Sequence, residues 1–172
     1  MIDITQKKLR EARFFSQMLG KASQQPVRND PEEFGFYLSA FLSAARAVTW
    51  ALQHEEKDKY DAWSPAWFNS RSPEDQTFLK DMITNRNFVQ KRGGAEMDQD
   101  WEYIPVTEIR TENREHPAYG FHWYGPPGTP PPTVGMPVYS FKGSGDEVTS
   151  ACERYVTILD SLVREFIETY KK

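Results

Sequence analysis

Apolar residues recur three and four positions apart through most of this chain, and one long stretch breaks the rhythm. In DITQKKLREARFFSQMLGKASQQ, Leu9, Ala12, Phe15, Met18 and Leu19 fall on one stripe, as on a helix packed along one side. Asp3 or Thr5 is placed to cap its first turn. Pro26 and Pro31 interrupt the pattern. Asp30 then stands as an N-cap, with Pro31 at the first helical position and Glu32 and Glu33 in the first turn. The segment PEEFGFYLSAFLSAARAVTWALQHEE carries a broad apolar face of Phe34, Tyr37, Leu38, Phe41, Leu42, Ala45, Val48 and Leu52. Ser39, Ala40, Ser43, Ala44 and Ala47 are small enough for another helix to approach closely. This pattern predicts a helix at the centre of a bundle.

KDKYDAWSPAWFNSRSP follows, with Tyr60, Trp63, Trp67 and Phe68 suggesting a short aromatic helix that crosses the bundle. Ser72 caps the next helix, PEDQTFLKDMITNRNFVQKR, with Pro73, Glu74 and Asp75 in its first turn and Gly93 and Gly94 ending it. Residues 97–143 change character. WEYIPVTEIR, YGFHWY and PVYSF are strand candidates, while GPPGTPPPTVGMP reads as a loop with polyproline II character. That length is too great for slack chain, so a small antiparallel β insertion is expected. The last helix, GDEVTSACERYVTILDSLVREFIETYKK, presents Val148, Cys152, Tyr155, Val156, Leu159, Leu162, Val163, Phe166 and Ile167 on one face, with Lys171 and Lys172 at its negative end. The expected fold is mostly α: an up-and-down four-helix bundle with a small antiparallel β insertion before the last helix, one domain over 1–172.

Composition narrows the functional classes. A formal net charge of -4 gives no global attraction for polyanions, so nucleic-acid binding would need a local patch. Aromatics make up 14% of residues, enough for a dense core or a contact surface. Cys152 is the only cysteine, which rules out an intramolecular disulfide and a cysteine-based zinc site and points to a reducing, cytoplasmic setting. Neither a signal-peptide pattern nor a membrane-length apolar window occurs. The three histidines, His54, His116 and His122, are too scattered for a metal motif, and neither a metal nor another cofactor is expected.

One residue breaks the apolar pattern. Leu79, Met82, Ile83 and Val89 share a stripe of the third long helix, and Arg86 sits on that stripe. A guanidinium there costs several kcal/mol, of order 3–5, unless it is paired or kept wet. It can reach a polar partner, or the stripe can face a cleft in which the planar fork holds an anion such as phosphate. Asn87, Gln90, Lys91 and Arg92 are its neighbours, and Arg86, Lys91 and Arg92 together form a cationic helix end on an acidic protein.

FYLSAFLSAARAVTWALQ in the second helix and DMITNRNFVQKRGG closing the third resemble the HEPN family of helical-bundle proteins. The likeness covers roughly residues 3–94 and the last helix, and not the aromatic insertion. It implies a homodimer whose two R-x4-6-H motifs line one cleft, and in active members metal-independent cleavage of RNA, often by toxins. Other members have lost the motif and act as binding or antitoxin-like proteins. Arg86 and Asn87 match the start of the motif, but the positions where histidine would fall hold Lys91, Arg92 and Gly93. Lysine, with a pKa near 10.4, is a poor general base at neutral pH, whereas histidine near 6.5 is a good one. The resemblance therefore implies a non-catalytic or weakly active protein that binds an anion, RNA among the candidates, near Arg86. One alternative is a degenerate ribonuclease in which Lys91 or His122 replaces the missing histidine. Another is a structural module that meets a protein partner, with Arg86 locked in an ion pair.

Other features have competing explanations. His54 beside Glu55 and Glu56 suits a helix C-terminus, and His116 before Pro117 suits a solvated turn. FKGSGDE precedes a helix and could bind phosphate, but Gly143, Ser144, Gly145 and Asp146 serve equally well as turn and cap. Trp101, Tyr103, Tyr119, Phe121, Trp123, Tyr124, Tyr139 and Phe141 could stack bases or pack onto the bundle. PPGTPPP could meet an aromatic groove or simply stiffen a loop.

Overall fold

The computed structural model describes residues 2–24, 30–92, 97–105 and 125–170, with residues 89–92 described by their helical backbone alone. It is mostly helical, with a two-stranded antiparallel sheet before the last helix. In chain order the elements are α1 (Asp3–Ser23), α2 (Pro31–Glu55), α3 (Lys57–Asn69), α4 (Pro73–Arg92), β1 (Met97–Pro105), β2 (Thr133–Phe141) and α5 (Val148–Tyr170).

The apolar helix α2 is central, and α1, α3, α4 and α5 all pack against it. Phe34, Leu38, Phe41, Leu42, Ala44, Ala45, Val48 and Leu52 are buried along it, closely matching its predicted face. From α5 come Val148, Cys152, Leu159, Leu162, Val163 and Phe166, and from α4 Phe78, Leu79 and Met82. Burial drives the Cys152 thiol well above its ordinary pKa, so it acts as a small hydrophobe. The aromatic helix α3 joins this core through buried Trp67 and through Trp63, edge-on to Phe166 at 5.4 Å.

The caps predicted for α2 and α4 form. Asp30 accepts hydrogen bonds from the Glu32 and Glu33 N–H groups, and Ser72 Oγ accepts one from Asp75 N–H. At α1 the expectation of a local cap from Asp3 or Thr5 is overturned. Glu55, at the far end of α2, accepts from the N–H groups of Ile4 and Thr5, both at 2.9 Å, and from Thr5 Oγ1 at 2.7 Å. The helix stripe puts Thr5 in the core, and only a carboxylate from α2 satisfies both its hydroxyl and the free N–H groups there. Burial disfavours ionised Glu55, but the Thr5 and backbone hydrogen bonds outweigh it and hold the carboxyl below its usual range.

The β insertion is antiparallel as expected, but one segment of it departs from expectation. TVGMP, read as loop, is the first half of β2 and pairs with β1 in a ladder from Met97 opposite Phe141 to Pro105 opposite Thr133. Both strands of a two-stranded sheet are edges, so Pro137 is tolerated although it has no N–H to donate. Aromatic packing is divided along one face of this hairpin. Tyr139 and Phe141 are buried, with Tyr139 stacked on Phe34 at 4.0 Å, while Trp101 and Tyr103 are exposed and cover Gly135. YGFHWY, His116, His122, Gly93, Gly94, Lys171 and Lys172 lie outside the described residues. No helix among the described residues is long and apolar enough to cross a membrane.

Candidate functional site

Among the described residues four arginines sit over aromatic rings, and they divide into two kinds. Arg71 lies 4.8 Å from the Trp67 ring and is held by both carboxylate oxygens of Glu165, each at 3.2 Å. Arg154 lies 4.4 Å from Phe78 and reaches Asp75 at 2.8 Å and Glu74 at 3.1 Å. Its hydrogen bond to Asp75 is the main reason that the Asp75 carboxyl stays below its usual range. These two guanidiniums are neutralised within the fold.

The second pair shares a single ring. Arg46 and Trp50 are four residues apart on α2, which places them on one face. The Arg46 guanidinium is 5.1 Å from the Trp50 ring, and Arg86 comes from α4 to within 4.7 Å of the same ring. Among the described residues no carboxylate lies within ion-pair distance of either arginine. Arg46 Nη1 donates to Thr49 Oγ1 at 3.2 Å, and Arg86 Nη1 donates to Asn87 Oδ1 at 3.2 Å. Arg86 Nε is buried without a hydrogen-bond partner. The two charges are no farther apart than about one Debye length at 0.1 M salt, so each raises the potential at the other.

The guanidinium on the apolar stripe of α4 therefore takes neither exit expected for it in simple form. Leu79 and Met82 of that stripe enter the core and Ile83 is half-buried. One turn on, the stripe runs off the core onto Trp50, which is 48% exposed. An indole face attracts a guanidinium by roughly 0.5–2 kcal/mol and leaves its edge N–H groups free for an anion. The side chains of Gln90, Lys91 and Arg92 lie outside the described residues, as does His122, so only Arg86 and Asn87 of the predicted cluster are placed. Asn87 is exposed and orients Arg86.

Trp50 and Arg46 were not singled out by sequence reasoning. A signal existed: Arg46 is the sole charged residue between Glu33 and Glu55, and an aromatic follows it by one helical turn. The phosphate reading of FKGSGDE finds no support. Gly143 and Gly145 adopt positive φ in a turn, and Glu147 accepts from the Thr149 and Ser150 N–H groups that an anion at the start of α5 would need. Glu147, not Asp146, is thus the cap of α5. No group of three or more His, Cys, Asp or Glu residues that could hold a metal ion occurs among the described residues. No protein-family model, curated protein or solved structure matches the chain.

Proposed function

We propose that this chain is a HEPN-like protein, non-catalytic or weakly active, that binds an anionic ligand, RNA phosphate, at Arg86 with Arg46 and Trp50. In this reading α1, α2, α4 and α5 are the four helices of an up-and-down bundle with α3 across it. The protein is a homodimer that brings two copies of the α4 end to one cleft. The observation that carries the reading is the contrast between arginines. Arg71 and Arg154 have carboxylates, whereas Arg46 and Arg86 have none among the described residues. An acid against Arg86 would instead have favoured a purely architectural role.

Binding of single-stranded RNA by the full chain, measured at 50 and 200 mM salt with chelator present, tests the proposal. Affinity should fall as salt rises, with a logarithmic slope of about -0.7 for each phosphate neutralised. Arg86→Ala should weaken binding by about tenfold and reduce the slope by about that much. Absence of RNA affinity at the lower salt, or unchanged affinity in Arg86→Ala, would refute it. Light scattering on the same sample reads the dimer. Chelator-resistant cleavage of the RNA that disappears in Arg86→Ala would move the protein to the ribonuclease class.

A further inference from the structure

Arg46 also lines a half-open cavity of about 310 Å³ between α2, α3, α4 and α5, at the lower end of the range for small-molecule sites. Leu79 and Ile83 of α4 and Leu159 and Leu162 of α5 give it apolar walls. One further lining residue carries a polar group that the fold leaves unused. Trp67 is 6% exposed, and its indole Nε1 is buried with no hydrogen-bond partner. Tyr155 is 4% exposed and also lines the cavity. Native interiors rarely leave a donor such as the Trp67 indole N–H unpaired, because losing water without a replacement is costly.

We infer that this cavity binds a small monocarboxylate with an apolar body, its charge held by Arg46, a hydrogen bond donated by Tyr155, and its body lying against Leu79, Ile83, Leu159 and Leu162. The donor set favours a single negative charge. One guanidinium can neutralise one carboxylate, and the neutral phenol adds a donor without adding charge. Burial pushes the Tyr155 hydroxyl up to about 12, so it keeps its proton at neutral pH. A phosphate dianion against the apolar walls would be only half-compensated, which desolvation penalises. The site shares Arg46 with the proposed RNA surface but does not depend on that surface binding RNA.

Calorimetric titration of the full chain with octanoate, benzoate and, as an uncharged control, 1-octanol tests the inference. At least one carboxylate should saturate one site per chain below about 5 mM, with octanol binding at least tenfold more weakly. Arg46→Met should weaken carboxylate binding by tenfold or more, and Tyr155→Phe by roughly threefold. Arg86→Ala should leave it within about threefold while lowering RNA affinity, which separates failure of this site from failure of the RNA reading. Two results overturn the inference: neither carboxylate saturates, or Arg46→Met binds octanoate as the parent does. Should Arg46→Met not fold, Tyr155→Phe and the cavity-filling Leu79→Trp decide, and parental affinity in both sinks it.

Discussion

The two ends of α4 use the same device for opposite ends. At its start, Phe78 carries Arg154 on its ring, and Glu74 and Asp75 of the same helix neutralise that arginine. Toward its other end the roles are exchanged: α4 supplies the guanidinium, α2 supplies the ring, and no described acid completes the set. Stacking an arginine on an aromatic fixes its direction without using its hydrogen bonds. Whether the arginine then serves the fold or a ligand depends on where the carboxylate comes from. At the first end the fold provides it. At the second no described residue provides it.

The strongest way to break this contrast is to remove the two rings in turn. Phe78→Ala empties a buried site, since Phe78 is 5% exposed, and should cost about 3–5 kcal/mol in urea unfolding. Trp50→Ala removes a half-exposed ring and should cost about 1 kcal/mol or less, yet lower RNA affinity at least tenfold. Equal losses of stability would mean that the two ends do not differ.

Removing the arginines is the next test. Arg154→Ala should destabilise by about 1 kcal/mol, a figure already discounted for the exposure of that pair to solvent. Arg86→Ala should change stability by no more than about 0.5 kcal/mol, because it also relieves a buried unpaired Nε and repulsion from Arg46. A large loss in Arg86→Ala would give that residue a structural role.

Glu55 calibrates what a matched carboxylate contributes. Glu55→Ala should cost about 1 kcal/mol at neutral pH, as for the loss of a helix cap. The folded-state pKa is depressed, so the contribution is complete above the ordinary glutamate value near 4.3 and fades as pH falls through the lower folded value. Stability of parent and variant, measured from pH 7 down to pH 3, should therefore converge toward the acid end. A constant difference would show that the cap does not rely on ionised Glu55.

The mildest change supplies the missing acid. Asn87 Oδ1 already accepts from Arg86 Nη1, so the near-isosteric Asn87→Asp puts a carboxylate where Arg86 can use it. Stability should rise by about 0.5 kcal/mol or less, and RNA affinity should drop several-fold as the second end comes to resemble the first. RNA binding unaffected by this neutralisation would argue against Arg86 as the anchor.

Periodicity alone determined the helices, their buried faces and the centrality of α2, because apolar burial dominates folding and a 3.6-residue repeat admits few alternatives. The caps at Asp30 and Ser72 were legible for the same reason, being contacts within a few residues of one another. Arg86 was visible as an exception to that pattern, but its surroundings were not. Glu55 on the start of α1, TVGMP drawn into β2, Trp50 beneath two arginines and the carboxylates of Glu165, Glu74 and Asp75 against two others all join distant parts of the chain or different helices. Such pairings depend on how helices lie across one another. A stripe of hydrophobes states that a face will be buried; it does not state which partner covers it or where the covering ends. Whether a stacked arginine meets a carboxylate is settled at that margin, by the tertiary structure alone.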